Sequence, residues 1–220
     1  GGLNLYDTPA TLISVSVSHN QSERNGSGIQ NYRNTLTFDR VTMSGNLNIG
    51  NSADGGGVYN NDGVLNASNS TLDHNETSGN GGGIYNTSDS TSNLTNVTLS
   101  ANRAIHGGGI YNEESFSVDT SMITLTHVTV KDNRATSGSG LYNGNGAYNL
   151  IYLKNTVIAD NTVGGNCQGK ALTAAQYSLS SDSTCALVGA GNLPNTPAQL
   201  FPLANYGGAT RTHMPSLTSP

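Results

Sequence analysis

Two aspartates, Asp132 and Asp160, are the residues of this chain best placed to do chemistry. They occupy equivalent places in successive copies of a repeat, and Lys131, Arg103 and Arg134 lie nearby. Paired carboxylates beside a basic group are the equipment of polysaccharide lyases and hydrolases. One can hold a proton as acid while the other acts as base, or the pair can bind calcium. The plainer use of the same residues is self-neutralisation on a solvated face. His19 and His74 align too, but two repeats apart with Gly45 between them, and no Ser/His/Asp order can be assembled.

Two further sets of residues recur with the repeat. Asparagines close each copy at Asn20, Asn46, Asn75, Asn102, Asn133 and Asn161, and others follow its glycine-rich opening at Asn31, Asn60, Asn86, Asn112 and Asn143. Stacked asparagine side chains hydrogen-bond between coils and tolerate the left-handed backbone of a tight corner, so both sets read as structural ladders. Asn20, Asn75 and Asn86 also begin Asn-X-Ser/Thr sequences, which is incidental for side chains that point into a stack. Tyr59, Tyr85, Tyr111 and Tyr142 each follow an inward apolar residue and so form an outward stripe. Such a stripe suits sugar rings or a partner surface, and equally suits mutual stacking that stiffens the array.

The elements that position these residues follow from the spacing. Successive closing asparagines are 26, 29, 27, 31 and 28 residues apart, a period that signals a solenoid. Counting back from each, the third residue is always apolar (Val17, Met43, Leu72, Leu99, Val130, Ile158), and the fifth is mostly so (Val15, Val41, Ser70, Val97, Val128, Thr156). The eighth (Leu12, Phe38, Ala67, Leu94, Leu125, Leu153) and tenth (Ala10, Leu36, Leu65, Ser92, Ile123, Ile151) are apolar with the opposite parity. Side chains alternate along a strand, so a change of parity requires the chain to turn a corner between two strands. A third short strand falls at Gly-[Ile/Val/Leu]-Tyr-Asn. No apolar period of 3.6 runs over a helix length. The expected fold is therefore all-β: a parallel β-helix of about six coils with three short strands per coil, roughly 29 Å long at a coil spacing of roughly 4.8 Å.

Residues 1–161 hold the coils, with longer connectors at Leu47 to Asp54 and Glu113 to Met122, and 162–220 form a C-terminal cap and an extended tail that folds back along the rod. Ala171 to Tyr177 has room for a helical turn or two. A net charge of −5 with scattered basic residues excludes a nucleic-acid backbone as partner, and no apolar run is long enough for a spanning helix. Cys167 and Cys185 read as the disulfide of an exported protein, contributing about 3 kcal/mol, with two free thiols of a cytosolic protein as the alternative. Their spacing and neighbours do not suggest a metal site.

The coils, with their Gly-Gly-[apolar] and closing-Asn motifs, resemble the right-handed β-helical repeats of bacterial surface proteins of the polymorphic outer-membrane type. The tail is more specific. Asn166-Cys167, Tyr177–Asp182, Cys185, Leu203–Gly208 and Thr212-His213 look like the C-terminal end of bacterial "choice-of-anchor" β-helix proteins. That resemblance implies export, a secreted or cell-surface location and no assigned chemistry; in that family the tail commonly runs on to an anchoring segment. The expected function is a non-enzymatic structural or adhesive element without cofactor. Its expected partners are further copies, joined through the terminal coils into filaments or a lattice, or a host or glycan ligand. The alternative is a carbohydrate-active or sugar-binding β-helix using Asp132 and Asp160, with calcium as its candidate ion.

Overall fold

The computed structural model describes residues 2–113 and 119–220, so Gly1 and part of the Glu113 to Met122 connector lie outside the described residues. The chain winds into a parallel β-solenoid with three long sheets of seven strands each. The first sheet holds the Gly-apolar-Tyr-Asn strands, Leu3–Tyr6 to Cys167–Gly169, and the second runs from Ala10–Ile13 to Ala174–Gln176. The third runs from Ser16–Ser18 to Leu179–Ser180. Coils are numbered 1 to 7 along these sheets.

The inward positions stack in register. Leu12, Phe38, Ala67, Leu94, Leu125 and Leu153 form one column, and Val17, Met43, Leu72, Leu99, Val130 and Ile158 another. Nearly all belong to one continuous buried core. Where that core contains a hydroxyl, the hydroxyl is satisfied: Ser70 Oγ accepts from Val41 N at 2.9 Å and donates to Ser68 O at 2.6 Å.

The change of parity has a local cause. Between the second and third sheets one residue per coil adopts a left-handed backbone: Ser14, Arg40, Asn69, Asn96, His127, Asn155 and Tyr177, all with φ between 49 and 55°. A single such residue turns the strand and exchanges its inner and outer faces. Glycine does related work at the opening of the repeat. Gly81 has φ +69, and a Cβ on Gly82 would lie 2.5 Å from the Gly108 carbonyl oxygen of the next coil, closer than any side chain tolerates.

Two expectations are corrected. Ala171 to Tyr177 contains no helical turn; it supplies the strand Ala174–Gln176, which pairs with Tyr152–Lys154. Coiling therefore runs past Asn161 into a shortened seventh coil, its open end covered by Cys185 and Leu187 and tied by the Cys167–Cys185 disulfide. The tail beyond it folds back along the rod, as expected. Residues 199–216 form a hairpin arm, with Ala204 and Thr212 exchanging backbone hydrogen bonds at 3.0 Å, and it lies along the flank of the solenoid. At the other end Leu5, Ala10, Leu12 and Val15 of coil 1 are only partly buried against the core.

Candidate functional site

The outer face of the third sheet carries two ranks of polar side chains, one from each outward position of its strands. Thr42, Thr71, Thr98 and Thr129 form the first, and Ser18, Ser44, Asp73, Ser100 and Lys131 the second. The corner residues Asp132 and Asp160 adjoin this face, each held at positive φ immediately before a ladder asparagine.

Lys131 draws the two sequence-predicted aspartates together. Its Nζ lies 2.6 Å from Asp132 Oδ1 and 3.1 Å from Asp160 Oδ2, with the lysine side chain only 9% exposed. Burial alone would lower the lysine's pKa, but the bonds to both carboxylates outweigh it and hold the ammonium above its ordinary value. The arginines do not join this group as neighbours in sequence suggested. Arg103 and Arg134 pair backbone to backbone elsewhere in the coil, and the Arg103 side chain reaches Glu76 at 3.6 Å. Among the described residues no group of three or more His, Cys, Asp or Glu side chains is placed to hold a metal ion.

The arm brings in residues that spacing could not connect. Thr210 Oγ1 donates to Asn69 O at 3.2 Å, and Thr212 Oγ1 meets Thr98 Oγ1 at 3.2 Å. Arg211 Nη2 contacts both oxygens of Asp73, at 2.8 and 2.7 Å, and the Asp73 side chain is fully buried. Asp73 Oδ2 also accepts from Ser44 Oγ at 3.0 Å and lies 2.7 Å from His74 Nδ1. One coil on, His213 Nε2 is 2.9 Å from Ser100 Oγ and its Nδ1 is 2.8 Å from Phe201 O. The carbonyl can only accept, so Nδ1 carries the proton and Nε2 accepts from the serine.

Ser100, His213 and the Phe201 carbonyl thus have the order of a nucleophile, its base and an orienting acceptor, at distances that proton transfer requires. Access argues against that use. Ser100 is 1% exposed, and the segment that covers it is the one that carries His213. Any motion that admitted a substrate would withdraw the base. The arrangement works as a fastening.

The asparagine ladder runs the length of the rod beside this flank. Each closing asparagine's Oδ1 accepts from both the backbone N and the Nδ2 of the one before, with side-chain bonds of 2.9–3.0 Å from Asn20 through Asn161. The last acceptor is Asn166, only five residues after Asn161, a rung the period does not reveal. The left-handed residue at this corner is not the asparagine but its predecessor: His19, Gly45, His74, Ala101, Asp132 and Asp160. The second ladder, Asn31 to Asn143, has side-chain bonds of 2.8–3.1 Å and ends below Asn31, whose register partner in coil 1 is Leu5. Asn31 Oδ1 is accordingly buried without a partner.

On the first sheet the rings of Tyr59, Tyr85, Tyr111 and Tyr142 stack at 4.9–5.2 Å within 8–10° of parallel. They project outward, but both faces of Tyr85 and Tyr111, and one face each of Tyr59 and Tyr142, lie against neighbouring rings. Tyr85 and Tyr111 are buried, and burial first, then nearby Asp54 and Glu113, push their hydroxyl pKa values well up. Tyr85 donates to Glu113 Oε2 at 3.2 Å.

No helix among the described residues is long and apolar enough to cross a membrane. In comparisons with known protein families, curated proteins and solved structures, nothing matches this chain.

Proposed function

We propose that this chain is a non-enzymatic structural or adhesive β-helix of the cell surface or extracellular space, of the kind represented by the choice-of-anchor and polymorphic outer-membrane repeat proteins it resembles. One observation carries the reading: the carboxylates best suited to catalysis, Asp132 and Asp160, both engage Lys131 Nζ on the flank against which the arm is fastened. They serve as fittings between coils. The Cys167–Cys185 bond suits an oxidising compartment. The partly buried apolar edge of coil 1 supports association there with a further coil, either from another copy or from preceding chain in a longer protein. Light scattering and electron microscopy of the purified chain test that part, and end-to-end particles that disperse on Leu12→Lys are the expected result.

A second reading has its own support. A cleft of about 350 Å³ between the arm's tip and the coil corners is lined by Arg40, Asn69, Asn96 and Arg211, groups that hydrogen-bond sugar hydroxyls. Incubation with acidic and neutral polysaccharides, followed for new reducing ends and unsaturated products, separates the readings. No product is expected from the wild-type chain. Product lost on Asp132→Asn or Asp160→Asn would establish the enzyme instead, and polysaccharide binding without product, lost on Arg40→Ala, would establish a sugar-binding module at the cleft.

A further inference from the structure

We propose that the C-terminal arm, residues 199–216, is a pH-released strap: at neutral pH His213 and Arg211 dock it on the third sheet, and a second proton on His213 frees it. The base of the arm is anchored separately, because Ala198 and Leu200 pack with Val157, Ala159 and Leu179 of the last coils. The release concerns the distal part, Thr210 to His213, which touches the sheet through polar contacts.

The His213 site is built for a neutral ring. Nδ1–H donates to Phe201 O and Nε2 accepts from Ser100, so a second proton would put a charge on this buried ring and make the Ser100 hydroxyl turn round to accept instead of donate. The ring is 5% exposed. The charged groups facing it from the sheet are Lys131, Asp132 and Asp160. Two carboxylates share one ammonium, so this group carries a net charge of −1 that opposes the cost of burying a histidinium without cancelling it. On the arm itself Arg211 is held by Asp73, which His74 also contacts.

Burial is the main cause that lowers the His213 pKa; the bond to Phe201 O opposes it, the Lys131 charge adds to the lowering, and Asp132 and Asp160 oppose it. The sign follows. The docked arm binds fewer protons than the free arm below the ordinary histidine value of about 6.5, so docking weakens as pH falls through that value, by up to about tenfold per pH unit until the docked pKa is reached. Release uncovers Thr71, Asp73, Thr98 and Ser100, all buried beneath the docked arm, and presents a rank of hydroxyls with one carboxylate to the solvent.

The test is a pH titration of the ¹⁵N-labelled full chain by NMR, following the His213 ring and the backbone amides of Thr98 and Ser100. In the wild type these amides should shift together with the ring, with a midpoint below about 6.5, toward the positions they hold in Arg211→Ala at neutral pH. In His213→Asn, which keeps a donor for Phe201 O but cannot charge, they should stay fixed across the same range. A ring that titrates while the amides stand still overturns the proposal, as does a His213→Asn chain whose amides move like the wild type's. If that variant fails to fold, His213→Gln, which also cannot charge, decides by the same criterion: amides that stay fixed support the strap, and amides that move like the wild type's refute it.

Discussion

Asn102 shows what one residue does in this fold. Its Oδ1 takes the N–H and the amide of Asn75, and its own Nδ2 donates to Leu72 O and Asn133 Oδ1, all within 2.9–3.0 Å and out of contact with water. Alanine at this position orphans donors and acceptors in two neighbouring coils, each at a cost of about 1–3 kcal/mol. Asn102→Ala should therefore lower the urea midpoint well below that of Thr95→Ala, an exposed change in the same coil; equal midpoints would refute the ladder's energetic role. The reverse experiment uses the gap below Asn31. Leu5→Asn offers the unpartnered Asn31 Oδ1 the amide it lacks, and Leu5 gives up only half-buried packing. The midpoint should rise, by about 0.5–1.5 kcal/mol of stability, and a fall would show that the leucine's packing outweighs the missing rung. The rungs themselves were legible in the sequence because asparagine recurs at a regular interval. The left-handed residues beside them were not, since His19, Gly45, His74, Ala101, Asp132 and Asp160 share a torsion angle and no chemical type.

At the level of strands, parity carried most of the information. Alternation changes sense wherever the chain turns, so the corner between the second and third sheets was readable before any geometry was known. Asn166 was hidden for the opposite reason, because the shortened last coil brings its side chain to the ladder out of period. Outward projection of the tyrosines was readable too, but not that their faces would close on one another, which depends on ring rotation about two side-chain torsions. That stack makes a clear forecast. Tyr85→Phe keeps the ring contacts and loses the bond to Glu113, so it should cost about 0.5–1.5 kcal/mol. Tyr85→Ala opens a gap between Tyr59 and Tyr111 and should cost about 3–5 kcal/mol by thermal or chemical denaturation. Similar losses for the two would mean that the hydroxyl, not the stack, is what stabilises the sheet.

As a whole molecule a solenoid is close to one-dimensional, each coil resting on its neighbours, so it should fray from its ends. The Cys167–Cys185 bond guards one end: intact protein should have a mass two protons below that of the reduced chain, and reduction should cost about 3 kcal/mol. Exchange protection should then fall first in coil 7 and last in coils 3 to 5; uniform loss would point to a single cooperative unit. The arm's place on the third sheet could not be read in advance, because a contact made once leaves no period to detect. Its ion pair, Arg211 to Asp73, spans 138 residues, and that span is also an interval of time. A ribosome adding about 5–20 residues per second reaches Arg211 on the order of ten seconds after Asp73. Coil 3 is therefore made with the Asp73 carboxylate uncovered, and the guanidinium that pairs with it arrives only with the arm. A chain cut short before Arg211 would leave the Asp73 carboxylate and the hydroxyls beside it open to solvent, a surface that the arm otherwise hides.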